Sequence, residues 1–408
     1  MVLGLGMGVW TARYLGPERL GQLSFVTAFV GLFAPLAALG LEAICVRELL
    51  AHPDDTPGIL GTAAGLRAMG ACLGGLAAFG IHWAMWPAEG AGRLMVLALI
   101  LTQLAMPVDV VEFYFQSRND PRRSIAARWV ALGIATILRV ALILSGAPVS
   151  AFAWALAVEA LLGGAGLAWV YSQSGMALRA WRFSAGRARG LVALGWPLAF
   201  SSVAVAIYMR LDQVMVKSML GTEALGIFAV SVRVSELWYF VPTAIAAGSL
   251  PALMHLRLRG DAEFDRGMLK LLSTMVFLGV TIGLATSLAG PWALNALFGE
   301  RYKGAGSMLV IQAWTGLFVG LGIAREHWLI ARGMTKVSMV TTLSGAALNV
   351  ALNLVLIPLW GGRGAAVASL IAQACATTFF LGLYGPTRRL FALQMKAFWF
   401  PRWMEKRG

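Results

Sequence analysis

The sequence predicts an all-α polytopic membrane protein of about twelve transmembrane helices. Three observations carry that prediction: 59% of the chain is hydrophobic and only 13% charged, the apolar residues form runs of bilayer length, and the charges gather between the runs. A soluble domain carries about 25% charged residues, and 33 Lys and Arg with 19 Asp and Glu cannot cover a water-facing exterior for 408 residues. Lipid is the solvent such a chain requires. The net charge of +14 does not point to nucleic acid, because the basic residues are spread in short clusters between apolar runs. Cys45, Cys72 and Cys375 lie inside apolar stretches, are odd in number and lack metal-ligand spacing, so they read as free core thiols. A basic n-region and a small-residue cleavage site are missing from the start, and no signal peptide is predicted.

The first apolar run, 1–11, is short for a span of roughly 20 residues, and helix 1 is therefore expected to be truncated. Eight uncharged runs give spans directly: 20–41, 68–88, 160–178, 190–209, 271–299, 304–324, 337–362 and 364–387. Three more hold isolated charges: 93–116 contains Asp109 and Glu112, 128–145 contains Arg139, and 223–254 contains Arg233 and Glu236. The longest connections, around 173–189 and 255–270, are too short for a soluble domain. Pro35, Pro107, Pro197 and Pro242 interrupt apolar helices and are expected to kink them. The tail from Arg388 to Trp403 mixes basic and aromatic residues and reads as an amphipathic helix on the anionic cytoplasmic leaflet.

Lys and Arg in the connections divide 21 on one side to 7 on the other, which predicts cytoplasmic termini. Leu15-Gly-Pro-Glu-Arg-Leu-Gly21 matches Leu220-Gly-Thr-Glu-Ala-Leu-Gly226 at an offset of 205 residues, half the chain. A favoured tight turn would also select this pattern, but apolar runs and turns correspond around it as well. Six helices per half is an even number, so the halves share one orientation, as in parallel-repeat transporters. The expected organisation is an N-terminal six-helix lobe at 1–189, a C-terminal six-helix lobe at 190–387, and a basic tail at 388–408.

With no extramembrane domain, no P-loop and no paired metal ligands, the chain reads as a transporter rather than an enzyme. His52, His82, His255 and His327 are scattered and read as satisfied residues at helix ends or beside tryptophans. Charges inside spans are costly and therefore default to functional candidates. Arg67, Arg139, Arg210, Arg233 and Arg325 fall inside predicted spans or at the residue adjoining one, and are counted with the spans, as no lysine is. By depth, Arg67 is expected to pair with Glu112 and Arg139 with Glu159. Arg210 with Asp212, and Arg233 with Glu236, crowd the hairpin around Gly221. Arg233 and Glu236 are three apart and share a face, whereas Arg210 and Asp212 are two apart and diverge. Asn349 and Asn353, four apart, share a face of helix 11, where they either help an ion-binding acid or hydrogen-bond between helices.

The run ARYLGPERLG at 12–21, GLEAICVREL ending helix 2, YMRLDQVMV at 208–216 and GIFAVSVRVSELWYFVP at 226–242 resemble the Wzx-type polysaccharide flippases over nearly the whole chain. That family belongs to the superfamily of multidrug exporters of the MATE type and the lipid II flippase. The resemblance implies a central cavity between two six-helix lobes, alternating access, and coupling to sodium or protons without another cofactor. It implies an undecaprenyl-pyrophosphate-linked oligosaccharide as substrate, with membrane lipids and polysaccharide polymerase and glycosyltransferases as partners, in the bacterial inner membrane. The stretch Arg233-Val-Ser-Glu236-Leu237 is similar to the eighth helix of the lipid II flippase, which makes Arg233 the first choice for the pyrophosphate. Arginine's planar fork suits a diphosphate. Arg210, Glu236, Arg67 and Arg325 complete the expected substrate-binding set, and Asp212, Asn349 and Asn353 the expected ion-coupling set. The alternatives are a cation-coupled drug or metabolite exporter of the same fold, or a membrane-embedded polymerase or acyltransferase.

Overall fold

The computed structural model describes residues 2–87 and 90–399, and helix is the only regular secondary structure among them. Among these described residues, eleven helical stretches are long and apolar enough to cross a membrane, giving the all-α multi-pass fold that the apolar runs predict. The first stretch, Gly4–Ala51, is 48 residues long and bends at Gly16; the leg before that glycine is the segment expected as helix 1. The chain forms two compact units, Met1–Val214 and Met215–Gly408.

In the first unit, α1 (Val2–Gly31) is interrupted at Gly16, where φ is 72° and ψ 172°, a region open essentially to glycine alone. Pro17 then starts the new helix, at a position where its missing N–H is not needed. A turn at Leu32 and Phe33 leads to α2 (Ala34–Ala38), begun by Pro35. Leu39 and Gly40, at positive φ, separate it from α3 (Glu42–Ala51). There follow α4 (Thr56–Met85) and α5 (Gly90–Ala105), then a 3-10 turn, Met106–Asp109, holding Pro107. α6 (Val110–Ser117), α7 (Arg122–Leu144), α8 (Val149–Gln173) and α9 (Ala185–Leu220) complete the series. A broken helix in lipid must satisfy its freed carbonyls internally. At the first break Val30 O accepts Gln103 Nε2 at 2.7 Å. Leu41, Ile59, Leu60, Val110, Leu167 and Leu191 form the core, while Leu73, Leu76, Ile137 and Leu144 face outward as lipid-facing residues.

The second unit takes over within α9. Gly221, at φ 92° and ψ 177°, precedes α10 (Thr222–Glu236), so the repeated motif adopts the same backbone conformation at both copies. A 3-10 turn, Leu237–Tyr239, joins α10 to α11 (Phe240–Arg259), whose third residue is Pro242. This break and the one at Leu32 and Phe33 are also 205 residues apart. Then come α12 (Asp261–Phe298), α13 (Ala305–Ala331), α14 (Thr335–Trp360), α15 (Gly362–Ala374), a π-helical segment Cys375–Phe379, α16 (Phe380–Leu383) and α17 (Arg388–Trp399). α12 and α13 approach closely, and a Cβ at Gly279 would lie 2.6 Å from the Leu317 side chain. Phe264, Met268, Leu272, Leu321 and Trp328 form this core, and α17 closes it with Leu390, Leu393 and Ala397. The opposite face of α17 exposes Arg388, Lys396 and Trp399, an amphipathic helix as expected; Arg402 and Trp403 lie outside the described residues. The kink expected at Pro197 rests on a side chain that also lies outside them.

Several helices overrun the uncharged runs. α4 begins at Thr56 rather than 68, α8 at Val149 rather than 160, α12 at Asp261 rather than 271, and α9 continues past 209 to Leu220. An uncharged run marks the hydrocarbon crossing, whereas helix continues through the interfacial layers until glycine or proline ends it. Lys217, expected in a connection, is consequently buried in the last turn of α9, where the helix dipole favours a cation.

Candidate functional site

Four charges of the first unit, Arg67, Asp109, Glu112 and Arg128, converge on the helix break at Met106–Asp109. The 3-10 turn turns Asp109 toward two arginines. Arg128 of α7 places Nη2 2.6 Å from Asp109 Oδ1 and Nε 2.8 Å from Glu112 Oε1. Arg67 of α4, its side chain 7% exposed, holds Nη2 3.8 Å from Asp109 Oδ2 and lies over the Phe113 ring at 5.4 Å. The expected Arg67–Glu112 pair is thus corrected to Arg67–Asp109, with Glu112 taken by Arg128. The tighter 3-10 winding displaces Asp109 from the face that regular helical counting gives it. Arg67 Nε forms no hydrogen bond among the described residues. Arg139 pairs with Glu159, as the depth argument anticipates.

On α9, Asp212 is buried and its Oδ1 accepts the Gln213 N–H at 2.7 Å. Arg210, half-buried, forms no ion pair or hydrogen bond among the described residues. Asp212 is therefore not held as Arg210's ion-pair partner.

In the second unit, Arg233 is exposed and Glu236 half-buried. Both stand on the last turns of α10, immediately before the 3-10 break. Around the break, Ser235, Trp238, Tyr239, Pro242, Gly279 and Gly320 line a water-sized cleft of about 20 Å³. Tyr302, in the turn between α12 and α13, is fully buried. Burial pushes its phenol up from the usual range, against the opposing positive charges of Arg233 and Arg301.

Arg325 is 3% exposed, and its guanidinium is engaged by protein groups. Nη1 donates to Thr341 Oγ1 at 3.1 Å and to Ala376 O. Nη2 and Nε donate to Glu326 Oε1 at 2.9 and 3.3 Å. The carbonyl next to Ala376, Thr377 O, accepts Gln394 Nε2 of α17 at 3.1 Å. Arg325 thus braces the π-helical segment, whose altered winding frees backbone acceptors. That sets it apart from the open substrate contact expected of it.

Asn349 and Asn353 are buried in the second unit, while Asp212 belongs to the first. Asn353 Nδ2 donates to Asn349 Oδ1 at 3.0 Å, and Asn349 Nδ2 lies 3.5 Å from Ser369 Oγ on α15. These contacts follow the interhelical hydrogen-bonding alternative, although Asn353 Oδ1 forms no hydrogen bond among the described residues. No group of three or more His, Cys, Asp or Glu gathers with metal-ligand geometry among those residues. His82, expected as a satisfied residue beside a tryptophan, is fully buried against Phe25, Phe29 and Trp86. Sequence reasoning missed Asp109 and Arg128 as the centre of the first cluster; the available signal was two acids three apart beside Pro107.

Residues 11–307 match a family described as polysaccharide biosynthesis protein. The chain is 28% identical over 200 residues to the capsular polysaccharide biosynthesis protein CapF of Staphylococcus aureus, covering 48% of this chain and 49% of that relative. The match spans about half the length of that relative. Against the probable flippase AglR of Haloferax volcanii it is 22% identical over 386 residues, 91% of this chain and 77% of the other. The fold is similar to that of the lipid II flippase MurJ, with a TM-score of 0.76 at 12% identity over 97% of this chain and 88% of that one. It is also similar to a multidrug resistance MATE family transporter of the MOP superfamily, with a TM-score of 0.74 at 15% identity over 96% and 95%.

Proposed function

From the premise that this chain belongs to the polysaccharide biosynthesis protein family, we propose that it is a flippase carrying an undecaprenyl-pyrophosphate-linked oligosaccharide from the cytoplasmic to the periplasmic leaflet. It works by alternating access in a bacterial inner membrane, with both termini cytoplasmic, and it supplies polymerase and glycosyltransferase partners. The observation that carries this reading is Arg233. It stands exposed on a membrane-crossing helix, one turn before a helix break, where a charge inside a span is a candidate for function, and its donor fork matches a pyrophosphate. Arg210, half-buried on α9 without an ion pair among the described residues, is the second cation for that group.

Asp212 is the coupling acid for sodium or protons: it is a buried acid on a membrane-crossing helix, and ionisable groups so placed mark ion and proton pathways. The test is transport into inverted membrane vesicles under an imposed ion gradient. The wild type is expected to move the lipid-linked oligosaccharide in a gradient-dependent way, and Asp212→Asn to lose that dependence while remaining folded. Vesicles that accumulate drugs but never the lipid-linked oligosaccharide would overturn the substrate assignment. Unchanged ion dependence in Asp212→Asn would overturn the coupling role.

A further inference from the structure

At one end of the second unit three arginines share two carboxylates. Asp261 opens α12 and Asp265 follows one turn later. Arg257 from the end of α11 pairs with Asp261. Arg389 from α17 pairs with Asp265 and lies 3.9 Å from Asp261 Oδ2. Arg332, just past α13, approaches Asp261 Oδ2 at 3.5 Å and Asp265 Oδ1 at 3.9 Å, and its guanidinium lies over Trp328 at 4.5 Å. Neither approach of Arg332 is of good hydrogen-bond length. Its Nε and Nη2 form no hydrogen bond among the described residues. The cluster therefore holds one cation in surplus and a guanidinium with unused donors. Burial and the positive charges of Arg257 and Arg389 lower the Arg332 pKa from the usual arginine range, with Asp265 opposing.

We propose that Arg332, with Arg389 and Arg257, binds the phosphate of an anionic membrane phospholipid, and that this contact holds the tail helix α17 on its unit. Position and surroundings favour a lipid over free phosphate. The cluster sits where α11 turns into α12 and where α13 ends, at the limit of the membrane crossings. Trp399 and Leu383 nearby in the chain are 86% and 77% exposed, and exposed aromatic and apolar side chains at helix ends belong to the headgroup layer. Four residues beyond Arg332, Lys336 stands on the lining of an apolar groove of about 480 Å³ with Val337, Val340, Phe380 and Leu383. A groove of that size suits an acyl chain, which free phosphate lacks. Juxtamembrane basic clusters attract anionic headgroups for the same reason. Bound phosphate would neutralise the surplus charge that otherwise loosens Arg389 from its carboxylates. Arg389 and Gln394 are the polar ties of α17 to α12 and to the π-helical segment.

The test is a thermal-stability titration of the purified full chain in neutral detergent with phosphatidylglycerol, phosphatidylcholine or inorganic phosphate. Phosphatidylglycerol is expected to raise the melting temperature saturably, and the other two to leave it unchanged. Arg332→Gln should weaken the apparent affinity roughly tenfold, the size of a lost charged hydrogen bond. Arg123→Gln, an equal charge change on an exposed residue elsewhere, should not. Asp261→Asn removes the competing carboxylate and should tighten phosphatidylglycerol binding, which separates a lipid site from a purely structural ion-pair cluster even if Arg332→Gln folds poorly. Equal shifts with phosphatidylcholine or inorganic phosphate would overturn the proposal. So would equal losses in Arg332→Gln and Arg123→Gln, or an Asp261→Asn variant that binds no more tightly.

Discussion

The two copies of the internal repeat carry the same backbone devices and different chemistry. Each begins at a glycine in a conformation that only glycine tolerates, Gly16 and Gly221, and each breaks again about one helical crossing later, at Leu32 and Phe33 in one and at Leu237–Tyr239 in the other. In the second copy Arg233 and Glu236 stand just before the break. The positions 205 residues earlier are Ala28 and Gly31, and Ala28 is 1% exposed. A shared scaffold thus buries a methyl group in one copy and presents a guanidinium in the other. The shared backbone devices form with either residue at this position.

Ala28→Arg should break this comparison most severely. An arginine at a buried site without a carboxylate costs upwards of about 3 kcal/mol, and the variant is expected to be lost from the membrane fraction or to melt far below the wild type. Asp109→Ala comes next. It leaves Arg67 buried without its partner and should cost about 3 kcal/mol, read as a lowered thermal midpoint in detergent. A midpoint equal to the wild type would show that the cluster does not brace the helix break. Gly16→Ala and Gly221→Ala should each cost about 1–3 kcal/mol from backbone strain. Nearly equal losses sharpen the equivalence of the two copies, and a loss at only one would deny it.

The apolar runs make most of the crossings legible, and Pro35, Pro107 and Pro242 announce the helix breaks, because proline removes a donor and clashes with the preceding turn. The Arg139–Glu159 pair is legible because both residues lie on regular helices at matching depth. Arg67 is misread because its partner sits on a 3-10 turn, whose winding no count by 3.6 residues captures. Arg325 is misread for another reason: its partners include the Ala376 carbonyl in a π-helical segment, and a backbone acceptor leaves no mark in the sequence. Lys217 falls in a helix that the uncharged run ends too early. That Arg233 and Glu236 share the last turns of one helix is legible because they are three residues apart in the chain.

The central claim is that Arg233 serves substrate rather than stability, and transport by variants of the Arg233 and Glu236 pair in membrane vesicles tests it most directly. Arg233→Ala should abolish flipping of the lipid-linked oligosaccharide while the variant remains folded in the membrane. Arg233→Lys should already impair it, since a bidentate phosphate contact needs the guanidinium fork. The deciding measurement is the double variant, Arg233→Ala with Glu236→Ala. It should remain inactive, because removing the neighbouring acid restores no phosphate ligand. Recovery of flipping in the double variant would mean that Arg233 only neutralises Glu236, and would contradict the account.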